Sequence, residues 1–272
     1  MNRQPRWIEE AFIEKADLFL KVLEWQWERA EEEAKLIANL LRKYGIKDEA
    51  KLLEVGCGNG RILINLAKLG YRTWGVDISP KLINDGIKKA RERGVEGKVE
   101  FVICDVRELS KFFKRGFFDA VLAVWTSIIG YYLNDDVDVR VLKECRYVTK
   151  DGGHLFVLNT VNRDVLTLRH SLRCIFPSFE ELDDVVLVEK PTFDPLTSTI
   201  SNKWTFYKKA ANKDLKYLGE FEFKLRVYSL HELINIAKRA GWKYVASYTD
   251  LTTLRDFVPS LSGFNLVFET LT

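Results

Sequence analysis

The segment Leu52-Leu53-Glu54-Val55-Gly56-Cys57-Gly58-Asn59-Gly60-Arg61 places an apolar run directly before three glycines at alternate positions, and a helical pattern opens immediately after them. Glycine tolerates positive φ and lets a ligand come close to the backbone. The free N–H groups at the start of the following helix attract a polar, anionic group. Strand, glycine turn and helix in that order begin a βαβ unit, and such a unit commits the chain to a parallel sheet with further units downstream.

Those units follow. Short apolar runs at 51–55, 73–78, 99–104, 118–125 and 154–159 alternate with helical patterns at 61–69, 80–93 and 137–148. The second helix carries Ser79 as N-cap, Pro80 at its first position and Gly94 as its stop. Together they predict an α/β fold with a doubly wound, mostly parallel sheet. Upstream, Phe12, Ala16, Phe19, Leu23, Trp27, Ala30, Ala34, Ile37 and Leu41 recur at spacings of three and four, the stripe of an amphipathic helix. Gly45 ends it, and its length suggests two consecutive helices or a bend. The run Glu31 to Glu33 falls opposite the stripe and reads as a solvated face.

From Asn162 to Tyr228 the α/β rhythm stops. Alternating segments at 185–189, 199–207 and 219–228, with Phe221, Phe223, Leu225 and Val227 in the last, predict antiparallel strands. A capping box at Ser229 and Glu232 then opens a helix ending at Gly241, followed by strands near 243–248 and 265–269. The division expected is a helical lid over 1–45, an α/β domain over 46–161 and 229–272, and a β-rich insertion over 162–228.

Composition bounds the partners. Lys and Arg number 42 against 39 Asp and Glu, a net charge of +3, which argues against a nucleic-acid wrapper or a polybasic membrane binder. Cys57, Cys104, Cys145 and Cys174 form no CxxC pair and have no His at ligand spacing, so neither a metal site nor a disulfide framework is expected. No apolar run approaches the roughly 20 residues of a membrane span. A cytoplasmic location is the expectation. One Met and two Gln beside abundant Lys and Glu resemble the bias of hyperthermophile proteins.

Asp77 ends the second predicted strand and Asp105 follows the third. The carboxyl ends of adjacent strands in a doubly wound sheet line one crevice, so both acids converge with the glycine turn on one ligand. A carboxylate at the second strand end can accept both hydroxyls of a ribose. The dinucleotide fingerprint would need its third glycine where Arg61 stands. The spacing here is instead Glu54-x-Gly56-x-Gly58-x-Gly60, and with it the sequence resembles the class I S-adenosylmethionine-dependent methyltransferases. The resemblance runs from about Leu52 to Asn159 and resumes in the last helix and last two strands.

That resemblance implies a Rossmann-like methyltransferase fold with a helical N-terminal lid and an antiparallel insertion over the acceptor site. It implies S-adenosylmethionine as cofactor, with Glu54 among the residues that bind it, Gly56, Gly58 and Gly60 toward its methionine part and Asp77 on its ribose. Ile78 and Val106 would face the adenine, Asp105 its amino group, and Trp125 the sulfonium. Candidates for the acceptor are Ser127, Tyr131 and Tyr132 after the fourth strand, and Arg163 and His170 in the insertion. His154 and His231 read as structural. Enzymes that methylate adenine or cytosine amino groups usually carry an N/D-P-P-Y/F element where this chain reads Ala123-Val124-Trp125-Thr126. The implied activity is methyl transfer to a small molecule, with a tRNA or protein methyltransferase and a silent S-adenosylmethionine-binding partner protein as alternatives. No catalytic residue is singled out, because a donor with so good a leaving group needs alignment and exclusion of water more than proton transfer.

Overall fold

The computed structural model describes residues 4–125, 128–212, 214–258 and 263–270. The N-terminal stripe forms α1 (Arg6–Glu9), a π-helical turn (Glu10–Glu14) and α2 (Ala16–Lys43), with the bend at Lys15. At 28 residues α2 is about 42 Å long. Then come β1 (Lys51–Val55), α3 (Arg61–Lys68), β2 (Arg72–Asp77), α4 (Pro80–Glu92), β3 (Val99–Ile103), a 3₁₀ turn (Val106–Lys111), β4 (Phe118–Val124), α5 (Asp135–Val148) and β5 (Thr149–Thr160). The insertion holds α6 (Arg163–Ser171) and the antiparallel strands β6 (Ser178–Leu182), β7 (Val185–Asp194), β8 (Thr199–Lys209) and β9 (Leu215–Arg226). The chain returns through α7 (Leu230–Arg239), β10 (Trp242–Tyr248) and β11 (Phe264–Thr270).

The main sheet has the order β10-β11-β5-β4-β1-β2-β3, with β11 antiparallel to both neighbours and the other pairs parallel. Its strands are apolar on both faces, as a sheet covered on both sides must be. Leu52, Leu122, Phe156 and Leu158 pack with α2 and α3 on one face, while Leu53, Val121, Leu155 and Val157 pack with α5 and α7 on the other. The alternation follows from the two-residue period of a strand.

Sequence and structure part where the local signal is weak. Helix α5 starts at Asp135 rather than Val137, because the Asn134 side chain caps it by accepting from the N–H groups of Asp136 and Val137. Strand β5 starts at Thr149 rather than His154; Gly152 and Gly153 hide its first half from any hydrophobic pattern. Helix α6 was not expected inside the β-rich block. It buries only Val165 and Leu166, too little to print a stripe. In β6 only Leu182 is buried, so no alternation shows there either.

One glycine ties the two parts together. Gly130, in the loop after β4, has φ +85°, and a Cβ there would lie 2.0 Å from the Arg226 carbonyl oxygen. Its carbonyl accepts from the Arg226 N–H (2.9 Å), and its own N–H donates to the buried Asp138 carboxylate of α5 (3.0 Å to each oxygen). The Tyr228 hydroxyl donates to the same carboxylate at 2.6 Å. The acceptor loop is therefore stitched to α5 and to the end of the insertion at one point. Gly130→Ala should cost about 2–4 kcal/mol from left-handed strain plus overpacking. Urea unfolding measures it, and a change below 1 kcal/mol would contradict the close approach.

Candidate active site

A cavity with about 1000 Å³ of space, counting its open mouth, lies where β1, β2 and β4 end. Gly56, Gly58, Asp77, Ile78, Asp105 and Val106 form its floor. The cover is the N-terminal segment, through Ile8, Phe12, Phe19, Val22, Leu23 and Gln26. Trp125, Ile128, Tyr131, Tyr132 and Trp204 close the remaining side. Trp204, on β8, is the insertion's contribution among the described residues.

The floor is held by its acids. Asp77 accepts from the Gly58 N–H and the Ser79 N–H, both at 2.9 Å, and so clamps the glycine turn to the end of β2. Burial raises its pKa while these backbone donors pull it back. The carboxylate keeps lone pairs for a ligand. At Asp105 burial works against the charge, but the Arg107 guanidinium, donating to both oxygens, and the Arg107 N–H outweigh it and hold the carboxyl below its usual range. Gly60 does not line the cavity. Its φ is +71°, and a Cβ there would lie 2.5 Å from the Phe101 ring, so it serves the turn and its packing.

Two buried acceptors in the cavity wall lack partners: Glu54 Oε2 and Gln26 Oε1. Burial pushes the Glu54 carboxyl up to about 8, with Arg61 opposing and Glu33 and Asp77 adding to the shift. A Cβ on Gly58 would meet Leu23 at 3.1 Å, so α2 crosses the glycine turn at this point. Gln26, three residues on, falls on the same helix face. An unpaired buried acceptor is costly, and a cationic donor group entering here would relieve both.

Beside the glycine turn, the Glu33 carboxylate of α2 pairs with Arg61 and accepts from Trp125 Nε1 (3.0 Å) and Asn159 Nδ2 (2.7 Å). The Arg61 guanidinium lies 4.5 Å over the Trp125 ring. The side chains of Arg61 and Glu33 are only 7% and 14% exposed. Glu33 is thus no part of a solvated face. The acidic run lies opposite the stripe only as far as Glu31 and Glu32, which are exposed, and Glu33 turns back toward the strand ends.

The structure brings Glu54, Gly56, Gly58, Asp77, Ile78, Asp105, Val106, Trp125, Tyr131 and Tyr132 to one cavity. Ser127 lies outside the described residues. Arg163 pairs with Glu232 and Asp164, and His170 meets the edge of Phe193 at 6.1 Å; neither lines the cavity. Trp25 and Trp27 of α2 do not line the cavity, and Arg29 and Arg93 lie over their rings. Phe12, Phe19, Gln26, Glu33 and Arg61 escaped the sequence reading as site residues. For Gln26 a signal existed: it stands at stripe spacing between Leu23 and Ala30, a polar residue on an apolar face.

Residues 52–153 match the family model of a methyltransferase domain. A ubiquinone biosynthesis O-methyltransferase of Xanthomonas oryzae pv. oryzae is 31% identical over 42% of this chain and 44% of its own length. A sterol 4-C-methyltransferase of Caenorhabditis elegans is 26% identical over 46% of this chain and 36% of its own. The chain thus aligns with less than half the length of these curated relatives. Among solved structures, the CcbJ methyltransferase of Streptomyces caelestis superposes with a TM-score of 0.72 at 23% identity, covering 90% of each chain. An amino pentose methyltransferase of Micromonospora echinaspora superposes at 0.67 with 17% identity, over 93% of this chain and 97% of its own. Strand order and glycine turn agree with these findings: the chain has the Rossmann-like fold of the superposed methyltransferases, and its residues 52–153 match a methyltransferase domain.

Two predictions follow from the buried charges. Glu33→Ala leaves Arg61 buried without its partner and should destabilise by about 3–5 kcal/mol. The Glu33→Ala/Arg61→Ala double variant should lose less than the sum of the single losses in urea. Additive losses would contradict a coupled pair. The second concerns pH. Burial raises Glu54 to about 8 and Asp138 to about 7. Asp138 faces Asp135, which adds to the rise, and Arg226, Tyr228 and the Gly130 N–H, which oppose it. A raised carboxyl binds more protons folded than unfolded, so its stabilisation is full below the unfolded value and is lost as pH rises through the folded one. The ligand-free protein should lose stability to urea between pH 5 and pH 8.5, and Glu54→Gln should shallow that slope. An unaltered slope would remove Glu54 as its source.

Proposed function

We propose that this protein transfers the methyl group of S-adenosylmethionine to a small-molecule acceptor. The observation that carries the reading is the clamp of Asp77 on the Gly58 N–H at the floor of a cavity whose wall holds two unpartnered acceptors, Glu54 Oε2 and Gln26 Oε1. The residues present fit the donor. Glu54 and Gln26 would take its ammonium and the free lone pairs of Asp77 its ribose hydroxyls. Ile78 and Val106 would flank the adenine, with Asp105 toward the amino group and Trp125 near the sulfonium. Bound there, the donor supplies a methyl group on an excellent leaving group. The chain then has to hold the acceptor in line and keep water out, and the apolar cover from Ile8 to Leu23 suits that task.

A small acceptor is favoured over tRNA or a protein because the space beyond the floor is a cavity covered by the chain's own N-terminal segment. Two curated relatives are named for ubiquinone biosynthesis and for methylation of a sterol, both small molecules. A silent binding partner would need no such enclosed space. The decisive test is thermal stabilisation by S-adenosylmethionine and S-adenosylhomocysteine against NAD. Both sulfur ligands should raise Tm and NAD should not; stabilisation by NAD alone would overturn the reading. Asp77→Ala should weaken S-adenosylhomocysteine by about 1.5–3 kcal/mol, the scale of hydrogen bonds to a charged group.

A further inference from the structure

The cavity is chemically two-sided. Its carboxyl and guanidinium side chains, Glu54, Arg61, Asp77 and Asp105, all stand at the strand ends and the glycine turn. The far side is a wall of rings. Phe12 lies nearly parallel to Tyr131, with centroids 5.9 Å apart and 11° between planes, and Phe19 nearly parallel to Trp204 at 6.2 Å and 14°. Phe12 and Phe19 meet edge to face at 4.9 Å. The four rings come from the π-helical turn, α2, the loop after β4 and β8, so three separate parts of the chain converge on one aromatic wall of the cavity.

Among the described residues that aromatic wall offers no base. Burial drives the Tyr131 phenol well above its usual range, so it stays neutral and cannot take a proton at working pH. Trp204 Nε1 is already spent on Glu189 at 3.0 Å. Both oxygens of Glu33 are engaged by Arg61, Trp125 and Asn159. None of the chain's three His residues lines the cavity, and Thr126 and Ser127, which follow Trp125 in sequence, carry no basic group. A polyhydroxylated acceptor would press its hydroxyls unpaired against rings, which is costly. An aliphatic alcohol would in addition need a base to ionise it.

Resting on the methyl-transfer reading, we infer that the acceptor is a flat aromatic molecule whose phenolic hydroxyl ionises by itself. Its proton leaves to water before entry. The phenolate oxygen then forms the C–O bond to the methyl carbon as the C–S bond breaks, and the sulfur keeps that electron pair. Phenolate and sulfonium charges cancel, leaving a neutral aryl methyl ether and a neutral thioether. The chain's part is to pack the ring against this aromatic wall, where offset and edge contacts are favourable, and to point its oxygen toward the strand ends.

The test uses the full chain saturated with S-adenosylhomocysteine, titrated calorimetrically with 2-naphthol and with methyl β-D-glucosaminide. Naphthol should bind and the glucosaminide should not. Phe12→Ala should weaken naphthol about tenfold or more through lost ring contact, with the conservative Phe12→Leu intermediate. With labelled S-adenosylmethionine, the pH of half-maximal turnover should move with the acidity of each phenol in a substituted series. Preference for the glucosaminide, or one half-maximal pH shared by all phenols, overturns this inference and leaves methyl transfer standing. Failure of S-adenosylhomocysteine to bind at all would overturn the methyl-transfer reading, and this inference with it.

Discussion

A single carboxylate joins the three parts of the chain that surround the cavity. Glu33 takes Arg61 from the start of α3, Trp125 from the end of β4 and Asn159 from the end of β5. Its two oxygens thus serve three donors that the sequence separates widely. The Arg61 arm is shielded from water, while Trp125 and Asn159 reach the carboxylate from the exposed side, so the pair with Arg61 is the one expensive to break. It also fixes α2 part-way along its length. C-terminal to the joint, Ala34, Ile37, Ala38 and Leu41 sit on the sheet. N-terminal to it, the helix leaves the sheet and crosses the strand ends, so that Leu23 and Gln26 lie over the glycine turn.

The insertion supports that overhang more than it roofs the cavity itself. Lys15 donates to the Glu220 carbonyl of β9 at 2.5 Å, and Trp7 packs near Phe223. Trp7 also meets Tyr131 at 5.0 Å, which links the cover to the loop after β4. The same loop is pinned through Gly130 to Asp138 and Arg226. Cover, loop and insertion therefore share contacts, and the two chemically different sides of the cavity belong to different layers. The acids come from the sheet, whose strand ends sequence order places side by side. The rings come from segments that only the tertiary fold brings together.

That division explains what the sequence disclosed. Glycine spacing, an acid at each of two strand ends and a two-residue period are local signals, and they located the floor of the site and the order of the α/β units. Glu33 and Arg61 gave no such signal. A helix position is read by its neighbours three and four residues away, and nothing local says that a charge at the edge of a stripe will meet partners 28, 92 and 126 residues downstream. Phe12 and Phe19 read as ordinary core residues because a ring facing a cavity and a ring facing a core have the same spacing. Helix α6 and strand β6 bury too few side chains to leave a pattern.

The central claim is that the Glu33 joint divides α2 into a seated half and a half that covers the ligand. Amide hydrogen exchange with and without saturating S-adenosylhomocysteine measures this directly, since local opening differs between packed and covering segments. The account predicts equal, strong protection of residues 34–43 in both states and a clear gain for residues 7–26 on binding. Unchanged protection of residues 7–26 at saturation would contradict it.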